Sequence, residues 1–474
     1  MAQTAVTGPK LNQSLHQLLR HWNRPRPALG VLPRLQWSIQ HDLVDAQGPI
    51  PTARHLIEQA LERLNAVTPN EAALLRRRFI DDASVIDTAD HFNIVEGTVY
   101  KWQRQALENL ADVVRNMEEE CRLQRQSRWL AHLETPTYSR LFGVEHQMNA
   151  LASLLSNDDA PWLIAVEGMG GLGKTALVDA VMRQQQKEIR WCDAAWVTAR
   201  QSVINLGGGI AKLDGPALTV TGLVESLLQQ LLGQIPYLHQ GNLAAATAQL
   251  RDRLKRHPHL IVVDNLETVN DVAALIATLR ELANPTKFVL TSRHNPYMAG
   301  DLHHFAITAL SQQDALALLR YEAHQRNLPE VAAATDEELA PIIECVGGNP
   351  LALRLVVGQM HVHSLATILD DLTAVRSATA ENLYTYLYRQ AWESLDDNAR
   401  TVLLAMPLGS EAGVDSAFLA GITDLPGDAL HAALEQLVAQ NLVNGSGTWQ
   451  ARLYRIHSLT RTFLHESVLH WQRT

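Results

Sequence analysis

Cysteine is scarce in this chain, and three cysteines in 474 residues, Cys121, Cys192 and Cys345, form no Cys-x-x-Cys pair. That spacing excludes a disulfide framework and a thiolate zinc site, so the three are expected to be packing residues. Aromatic residues supply only 5% of the chain. With Leu and Ala abundant, the balance favours helical packing over a β-sandwich. Long apolar runs are missing as well. No uninterrupted stretch approaches the roughly 18 residues that span a bilayer, and the opening "MAQTAVTGPKLNQSLHQ" lacks an apolar signal core. A cytosolic protein with no membrane partner is expected. Histidine is plentiful at 20 residues, yet His303-His304 and His361-Val-His363 lack the i,i+4 spacing that aims two imidazoles at one metal.

A chain of this length outgrows one hydrophobic core, which stops growing at roughly 250 to 300 residues. The net charge of -10 is unevenly spread: residues 1 to 130 carry 16 Lys+Arg against 15 Asp+Glu, and the remainder 24 against 35. Proline-containing breaks interrupt a helical pattern up to about residue 60, a run of helices follows to about Leu133, and "ETPTY" reads as a linker. Behind it, "WLIAVEG" and "HLIVVDN" are short apolar runs ending in Gly or Asp, as expected of strands buried on both faces of a parallel sheet. "AAWVTAR" and "KFVLTSR" repeat the theme, with helical stretches between, so the middle is an α/β domain. After Asp314 the pattern is mostly helical again, and "YRIHSLTRTFL" reads as an amphipathic helical stretch near the end.

"GMGGLGKT", Gly168 to Thr175, is G-x-x-x-x-G-K-[ST] in full, behind a strand and ahead of the helix "TALVDAVMRQQQ". Gly168, Gly170, Gly171 and Gly173, with Ala176 in the helix that follows, let backbone N–H groups surround phosphate at a helix N-terminus. Lys174 is placed to reach β and γ oxygens, and the Thr175 hydroxyl to ligate Mg²⁺. "LIVVDN" sets Asp264 at a strand end, where a carboxylate holds the Mg²⁺ shell. ATP or ADP with Mg²⁺ is the expected cofactor, and Lys174 and Asp264 are candidate catalytic residues.

In their order these blocks resemble the NB-ARC nucleotide-switch ATPases, a branch of the signal-transducing STAND class that includes plant resistance proteins, the apoptosome scaffold and many bacterial regulators. "LFGVEHQMNALASLL" is similar to the family's h-h-G-R-E block, which implies that Gly143 borders the adenine; Glu145 stands, and Val144 replaces the arginine. "KFVLTSR" matches the sensor strand, implying that Arg293 contacts the γ-phosphate, although a strand-end surface cation fits the same residue. "CVGGNPLAL" is similar to the GLPL block, implying Pro350 against adenine, a role compatible with a helix start. "YRIHSLTRTFL" takes the place of the M-H-D block, with His457 implied near the β-phosphate and Ser458 replacing the acid. Asn265 stands where many relatives have a second acidic residue, so Mg²⁺-dependent hydrolysis is expected to be slow unless Glu267 serves instead.

The resemblance completes the fold class: a multidomain α/β and α chain with a P-loop NTPase parallel sheet flanked by helices, then a helical lid and a winged helix, preceded by an all-α helix-turn-helix domain. The expected boundaries are 1–66 (helical segment), 67–133 (helix-turn-helix), 138–300 (nucleotide domain), 301–378 (lid) and 379–474 (winged helix). The chain ends ten residues after the last block. The sensing unit most relatives carry there is therefore expected on a separate protein, replaced by the front domain, or lost because the chain is a fragment.

"ASVIDTADHFNIVEGTVYKWQRQALENL", Ala83 to Leu110, has helix-turn-helix spacing, with Ala89 at the crossing, Asn93 in the turn, and Ile94, Val99 and Leu107 facing the core. It resembles the fourth region of bacterial sigma factors, and "NEAALLRRRF" fits that module's first helix. Glu96, Thr98, Lys101 and Arg104 would face a DNA groove. Against this, residues 70 to 115 hold six Lys+Arg and eight Asp+Glu, a weak supply of phosphate contacts even with Arg76, Arg77 and Arg78 grouped, and Val95 replaces the usual capping Ser. DNA and an effector protein both stay open as partners. The leading expectation is a switch closed with ADP and self-associating with ATP in bacterial defence or stress signalling; the alternatives are a nucleotide-gated DNA-binding regulator and a motor-type ATPase.

Overall fold

The computed structural model describes residues 9–45, 48–136, 138–159, 161–199, 218–233, 243–266, 269, 271–292, 302–369, 391–393, 395–410, 413–440, 442–447, 452–456, 460 and 464. The front is helical: α1 (Pro9–Arg20), α2 (Gln36–Asp45), α3 (Pro49–Val67), α4 (Pro69–Leu75), a π-helical turn over Arg76–Ile80, α5 (Val85–Phe92) and α6 (Glu96–His132). Proline opens α3 and α4, where its missing N–H is not needed. Ser84 and Asp87 form a reciprocal capping box at the start of α5, and Asn93 ends it in the left-handed conformation at φ 52°. Val95 precedes α6 without a side-chain cap. α6 runs unbroken for 37 residues, about 55 Å at 1.5 Å per residue.

Leu15 and Leu19 of α1, Ile57 and Leu61 of α3, Leu75 of α4, and Leu110, Val114 and Met117 of α6 share one core. That core crosses the boundary expected between residues 66 and 67, because α3 packs against α4 as well as against α6, and all three turn their apolar stripes to the same centre. Of the helix-turn-helix positions, Ala89, expected at the crossing, is buried; of the three expected to face that module's small core, Val99 is buried and Ile94 and Leu107 are half-buried.

Behind α6 come α7 (Glu145–Ser156), β1 (Leu163–Glu167), α8 (Lys174–Gln185), β2 (Ala194–Thr198), α9 (Val220–Leu232), α10 (Leu243–Arg256), β3 (Leu260–Asp264), α11 (Val272–Leu282), β4 (Lys287–Ser292) and β5 (Leu302–Ala306). The strands form one sheet in the order β2-β3-β4-β1-β5, every pair parallel. Alternate residues serve opposite faces, as the pleat demands: Leu163, Ala165, Ile261 and Val263 pack with α9, α10 and α11, while Ile164, Val166, Leu260 and Val262 pack with α7 and α8. Trp129 and Leu133 of the front unit join this second layer. β5 extends the sheet past the boundary expected at residue 300. It is an edge strand with alternating burial, and its two histidines give it a polar pattern unlike the other four.

The rest is α12 (Gln312–Gln325), α13 (Pro329–Ala333), α14 (Asp336–Val346) and α15 (Pro350–Gln359), then α16 (Asp397–Ala405), α17 (Ser416–Thr423), α18 (Gly427–Ala439) and the antiparallel hairpin β6 (Val443–Gly447) with β7 (Arg452–Ile456). Leu353 and Leu355 of α15 share a core with Leu403 of α16 and Leu437 of α18, so the lid and the C-terminal unit pack together across the boundary expected at 378. Tyr454 to Ile456 are strand and not helix, a correction to the amphipathic reading: they pair with Val443 to Gly445, and Tyr454 also bridges Val414. Among the described residues no single helix is long and apolar enough to cross a membrane.

Candidate functional site

The sheet order determines which side chains can meet. β4 lies between β1 and β3, in a register that sets Thr291 beside Val166 and Ser292 beside Glu167. The P-loop leaves β1 and Asp264 closes β3, so the end of β4 projects between them. Asp264 is fully buried. Its Oδ1 accepts hydrogen bonds from Thr175 Oγ1 at 2.9 Å and Thr291 Oγ1 at 2.5 Å, and its Oδ2 accepts one from Asn265 Nδ2 at 3.1 Å. The Asn265 N–H donates to Thr291 Oγ1 at 2.9 Å, and Asn265 holds φ at 64°, a conformation Asn tolerates better than most residues. Asn265 thus stands against the Asp264 carboxylate as a donor, and its carboxamide has no proton-accepting carboxylate to offer.

The P-loop supplies the other half. Gly173 (φ 90°) leads directly into α8, whose first backbone N–H groups and dipole face the loop. Ala176 lies in that first turn. Lys174 is 8% exposed, and its Nζ donates to the carbonyls of Gly168 at 2.7 Å and Met169 at 3.0 Å, which curls the side chain over the loop. The hydroxyl of Thr175 and the carboxylate of Asp264 converge as hard oxygen donors, which fits Mg²⁺.

A third element closes on the loop from the lid. Asn349 caps α15, its Oδ1 accepting from the N–H of Leu351 at 3.0 Å and Ala352 at 3.3 Å, and its Nδ2 donates to the Gly170 carbonyl at 2.9 Å. The Leu351 N–H also lies 3.3 Å from the Gly171 carbonyl. Gly171 is required here: a Cβ would come within 2.8 Å of Asn349 Oδ1 and 2.9 Å of Leu351 Cβ. Pro350 takes the first helical position beside this contact. Gly143 (φ 62°) sits against the start of α12, where a Cβ would meet Asp314 Oδ2 at 2.5 Å; Glu145 opens α7 behind it.

The structure therefore brings together Gly168, Gly170, Gly171, Gly173, Lys174, Thr175, Asp264 and Pro350. Arg293, Glu267, His457 and Ser458 lie outside the described residues. Glu96, Thr98, Lys101 and Arg104 belong to the first turns of α6 in the front unit; Glu96, Lys101 and Arg104 are exposed and Thr98 half-buried. Thr291 and Asn349 escaped sequence reasoning. A threonine within a strand carries no distinguishing signal, and Asn349 was overshadowed by Pro350, although Asn before Pro at a helix start is itself a capping signature. Cys121 and Cys192 are buried, and burial pushes their thiols up to about 11 and about 12, which leaves them unreactive.

A parallel sheet with a glycine loop at a helix N-terminus, and a carboxylate two strands away bonded to the loop threonine, defines a P-loop NTPase. The chain carries an NB-ARC domain: residues 144–329 match that family model. Disease resistance protein RGA2 of Solanum bulbocastanum is 25% identical over 232 residues, 47% of this chain and 22% of its own. An uncharacterized WD repeat-containing protein of a Nostoc species is 22% identical over 250 residues, 48% of this chain and 18% of its own. The chain thus spans about a fifth of the length of these two relatives. Among solved structures, a Signal Transduction ATPase with Numerous Domains (STAND) protein with a tetratricopeptide repeat sensor, from Pyrococcus horikoshii, aligns over 70% of this chain and 43% of its own at 14% identity, TM-score 0.45.

Proposed function

We propose that this chain is an ATP/ADP-controlled signalling switch of the STAND type, closed with ADP and self-associating with ATP. The observation that carries the reading is the Asn349 bridge. The residue that caps α15 also bonds the Gly170 carbonyl in the P-loop, so phosphate in the loop and the position of the lid act on the same backbone. Lys174 and the N-terminus of α8 would hold the β-phosphate, Thr175 and Asp264 the Mg²⁺, and Pro350 would lie against the adenine. Mg²⁺ supplies charge neutralisation of the phosphates when bound. Asn265 offers no base to an attacking water, which supports slow hydrolysis and argues against a motor with sustained turnover.

Nucleotide exchange supplies most of the free energy that a switch needs. ADP bound with a dissociation constant a thousandfold below its cellular level would stabilise the closed form by about 4 kcal/mol. Moving a two-state equilibrium from 1:99 to 99:1 takes about 5.5 kcal/mol, so a further trigger fits alongside nucleotide exchange. Defence or stress signalling is the setting that the resistance-protein relatives suggest. The test is the nucleotide that co-purifies: retained ADP is the expected result, lost in Lys174→Ala, and an empty site in a folded wild-type monomer overturns the reading. His457→Ala is expected to raise spontaneous exchange or self-association.

The exposed Lys101 and Arg104 favour a second reading, a nucleotide-gated DNA-binding regulator. Exposed Ile86, Val95 and Tyr100 nearby weigh towards protein contacts instead. A salt-dependent, sequence-specific gel shift would support the DNA reading, and no binding at low salt removes it.

A further inference from the structure

The segment between α6 and the nucleotide domain is held from three sides. At its start, His132 Nδ1 is bonded to the Ala194 carbonyl at the beginning of β2, at 2.7 Å. From α8, Arg183 Nη2 donates to the Glu134 carbonyl at 2.5 Å, and Asp179 Oδ2 accepts from the Tyr138 hydroxyl at 2.7 Å. Arg183 and Asp179 are themselves paired at 2.8 and 2.9 Å. From the C-terminal hairpin, Arg455 Nη1 donates to the Thr135 carbonyl at 2.7 Å and lies 3.9 Å from Glu134 Oε2, across 320 residues of sequence.

Arg455 is not a surface residue that swings onto the linker. It is 6% exposed, and it lies over Gly413, where a Cβ would stand 3.0 Å from Arg455 Cγ and 3.2 Å from its Nε. Gly413 holds φ at 113°, so a side chain there is strained as well as crowded, and the slot for the arginine depends on the glycine. The bridge between Val414 and Tyr454 fixes the two sides of that slot together.

The other half of the joint leads to the phosphate site. Thr175, Asp179 and Arg183 follow one another at i, i+4 and i+8 on α8, which puts them on a single face about 6 Å apart. The first bonds Asp264, and the second and third bond the linker.

We infer that Glu134, Thr135 and Tyr138 of the linker are the seat of a latch, in which Arg455 of the C-terminal hairpin locks onto the linker backbone and the Thr175 face of α8 ties the linker to the phosphate site. Arg455 is a positioning residue: release of the hairpin frees the linker, and a displaced α8 loosens the hold on Arg455. The link to nucleotide rests on the proposed switch; the latch itself does not.

The experiment uses the full chain and a protease that cuts after glutamate. The Glu134–Thr135 bond has both flanking carbonyls held, by Arg183 and Arg455, so it resists cleavage while the latch is closed. In Arg455→Gln, cleavage at Glu134 should rise at least fivefold, and a fluorescent ADP analogue should leave severalfold faster. Arg455→Lys, which keeps the charge and can still donate but lacks the planar guanidinium fork, should fall between; a merely structural residue would show no such graded rescue. Should the glutamine variant fail to fold, the lysine variant carries the comparison. Tyr138→Phe combined with Arg455→Gln should be less than additive in analogue release. Equal cleavage rates in wild type and both Arg455 variants overturn the latch. If cleavage rises while the wild type holds no nucleotide, the latch stands and the switch falls. If cleavage rises and analogue release from a nucleotide-holding chain stays unchanged, the coupling is overturned.

Discussion

Replacing Arg125 by methionine should separate a docked front unit from a tethered one. The side chain is 1% exposed. Its guanidinium donates to the carbonyls of Gln186 at 2.8 Å, Glu188 at 3.0 Å and Trp191 at 2.7 Å, which places a buried cation over the C-terminal end of the P-loop helix α8. Two effects of substitution compete. Hydrogen bonds from a charged donor contribute about 1.5 to 3 kcal/mol each, and the carbonyls left behind lose about 1 to 3 kcal/mol each. Against that, the desolvation penalty of the guanidinium, several kcal/mol, disappears with the charge. Methionine fills most of the volume, so the cavity contribution is small. The balance is a loss of about 2 to 4 kcal/mol. A domain of this size shifts by about 2 to 4 °C per kcal/mol, so the transition should fall by about 5 to 15 °C. Tryptophan fluorescence is the assay, because Trp129 and Trp191, both fully buried, flank the guanidinium. Arg115→Met, at a one-third-exposed position on the same helix, is the control and should stay within about 0.5 kcal/mol of wild type. An Arg125→Met shift below about 2 °C, or one no larger than the control, refutes the docking energetics.

Asn349→Leu should destabilise the lid by about 1 kcal/mol through the lost cap and also weaken nucleotide retention. Asn349→Asp keeps the cap but turns the Gly170 partner from donor to acceptor; it should impair retention with a smaller drop in melting temperature, and equal drops in both variants would remove the bridge. His259 is fully buried, and burial, with Arg253 next, pushes its imidazole down to about 3. A depressed histidine favours folding fully above the unfolded value of 6.5 and loses that contribution as pH falls towards the folded value. Between pH 6.5 and 5 the loss should reach about 1 to 2 kcal/mol. Denaturant midpoints for wild type and His259→Gln should converge over that range, and parallel curves would contradict the depressed value.

What the sequence disclosed followed the range of its local signals. Gly168 to Thr175 is a contiguous motif with one chemistry, and Asp264 closes an apolar run of strand length, so the phosphate site could be placed before the fold was known. In the structure the Thr175 hydroxyl bonds the Asp264 carboxylate, and Lys174 curls back over the loop carbonyls of Gly168 and Met169. Contacts made across hundreds of residues left no such trace. Arg125 stands on a helix rich in charge and reads as solvent-facing, although the sheet domain buries it. Arg455 lies in a stretch whose spacing fits either an amphipathic helix or a strand, and only pairing with β6 decides between them. β5 was missed because an edge strand shows one face to water and so dilutes its apolar pattern with His303 and His304. Asn349 and Thr291 are ordinary residues for their elements, and their bonds to Gly170 and Asp264 depend on the tertiary path alone.

If the chain opens as the proposed switch requires, the unequal strength of the interfaces around α8 indicates where. Undocking α6 would expose Trp129 and the Arg125 guanidinium with its three carbonyls, and would also break the Arg128–Asp193 pair at 3.3 Å. Returning one large apolar side chain to water costs about 1.5 to 3 kcal/mol before the polar contacts are counted. The lid and the C-terminal hairpin hold the P-loop and linker by separate hydrogen bonds: Asn349 to Gly170, Leu351 to Gly171, Arg455 to Thr135, and Ser139 to Tyr321 at 2.7 Å. At a net of about 1 kcal/mol each, these ties together contribute roughly 4 kcal/mol. That lies within the 5.5 kcal/mol a switching ligand must supply. The hinge therefore belongs on the lid side of α8, and the front unit should travel with the nucleotide domain as one body. A spin-label pair joining α6 to α10 should keep its distance when ADP is exchanged for an ATP analogue, while a pair joining α10 to α18 should not; a change in the first pair with none in the second would place the hinge at α6 instead.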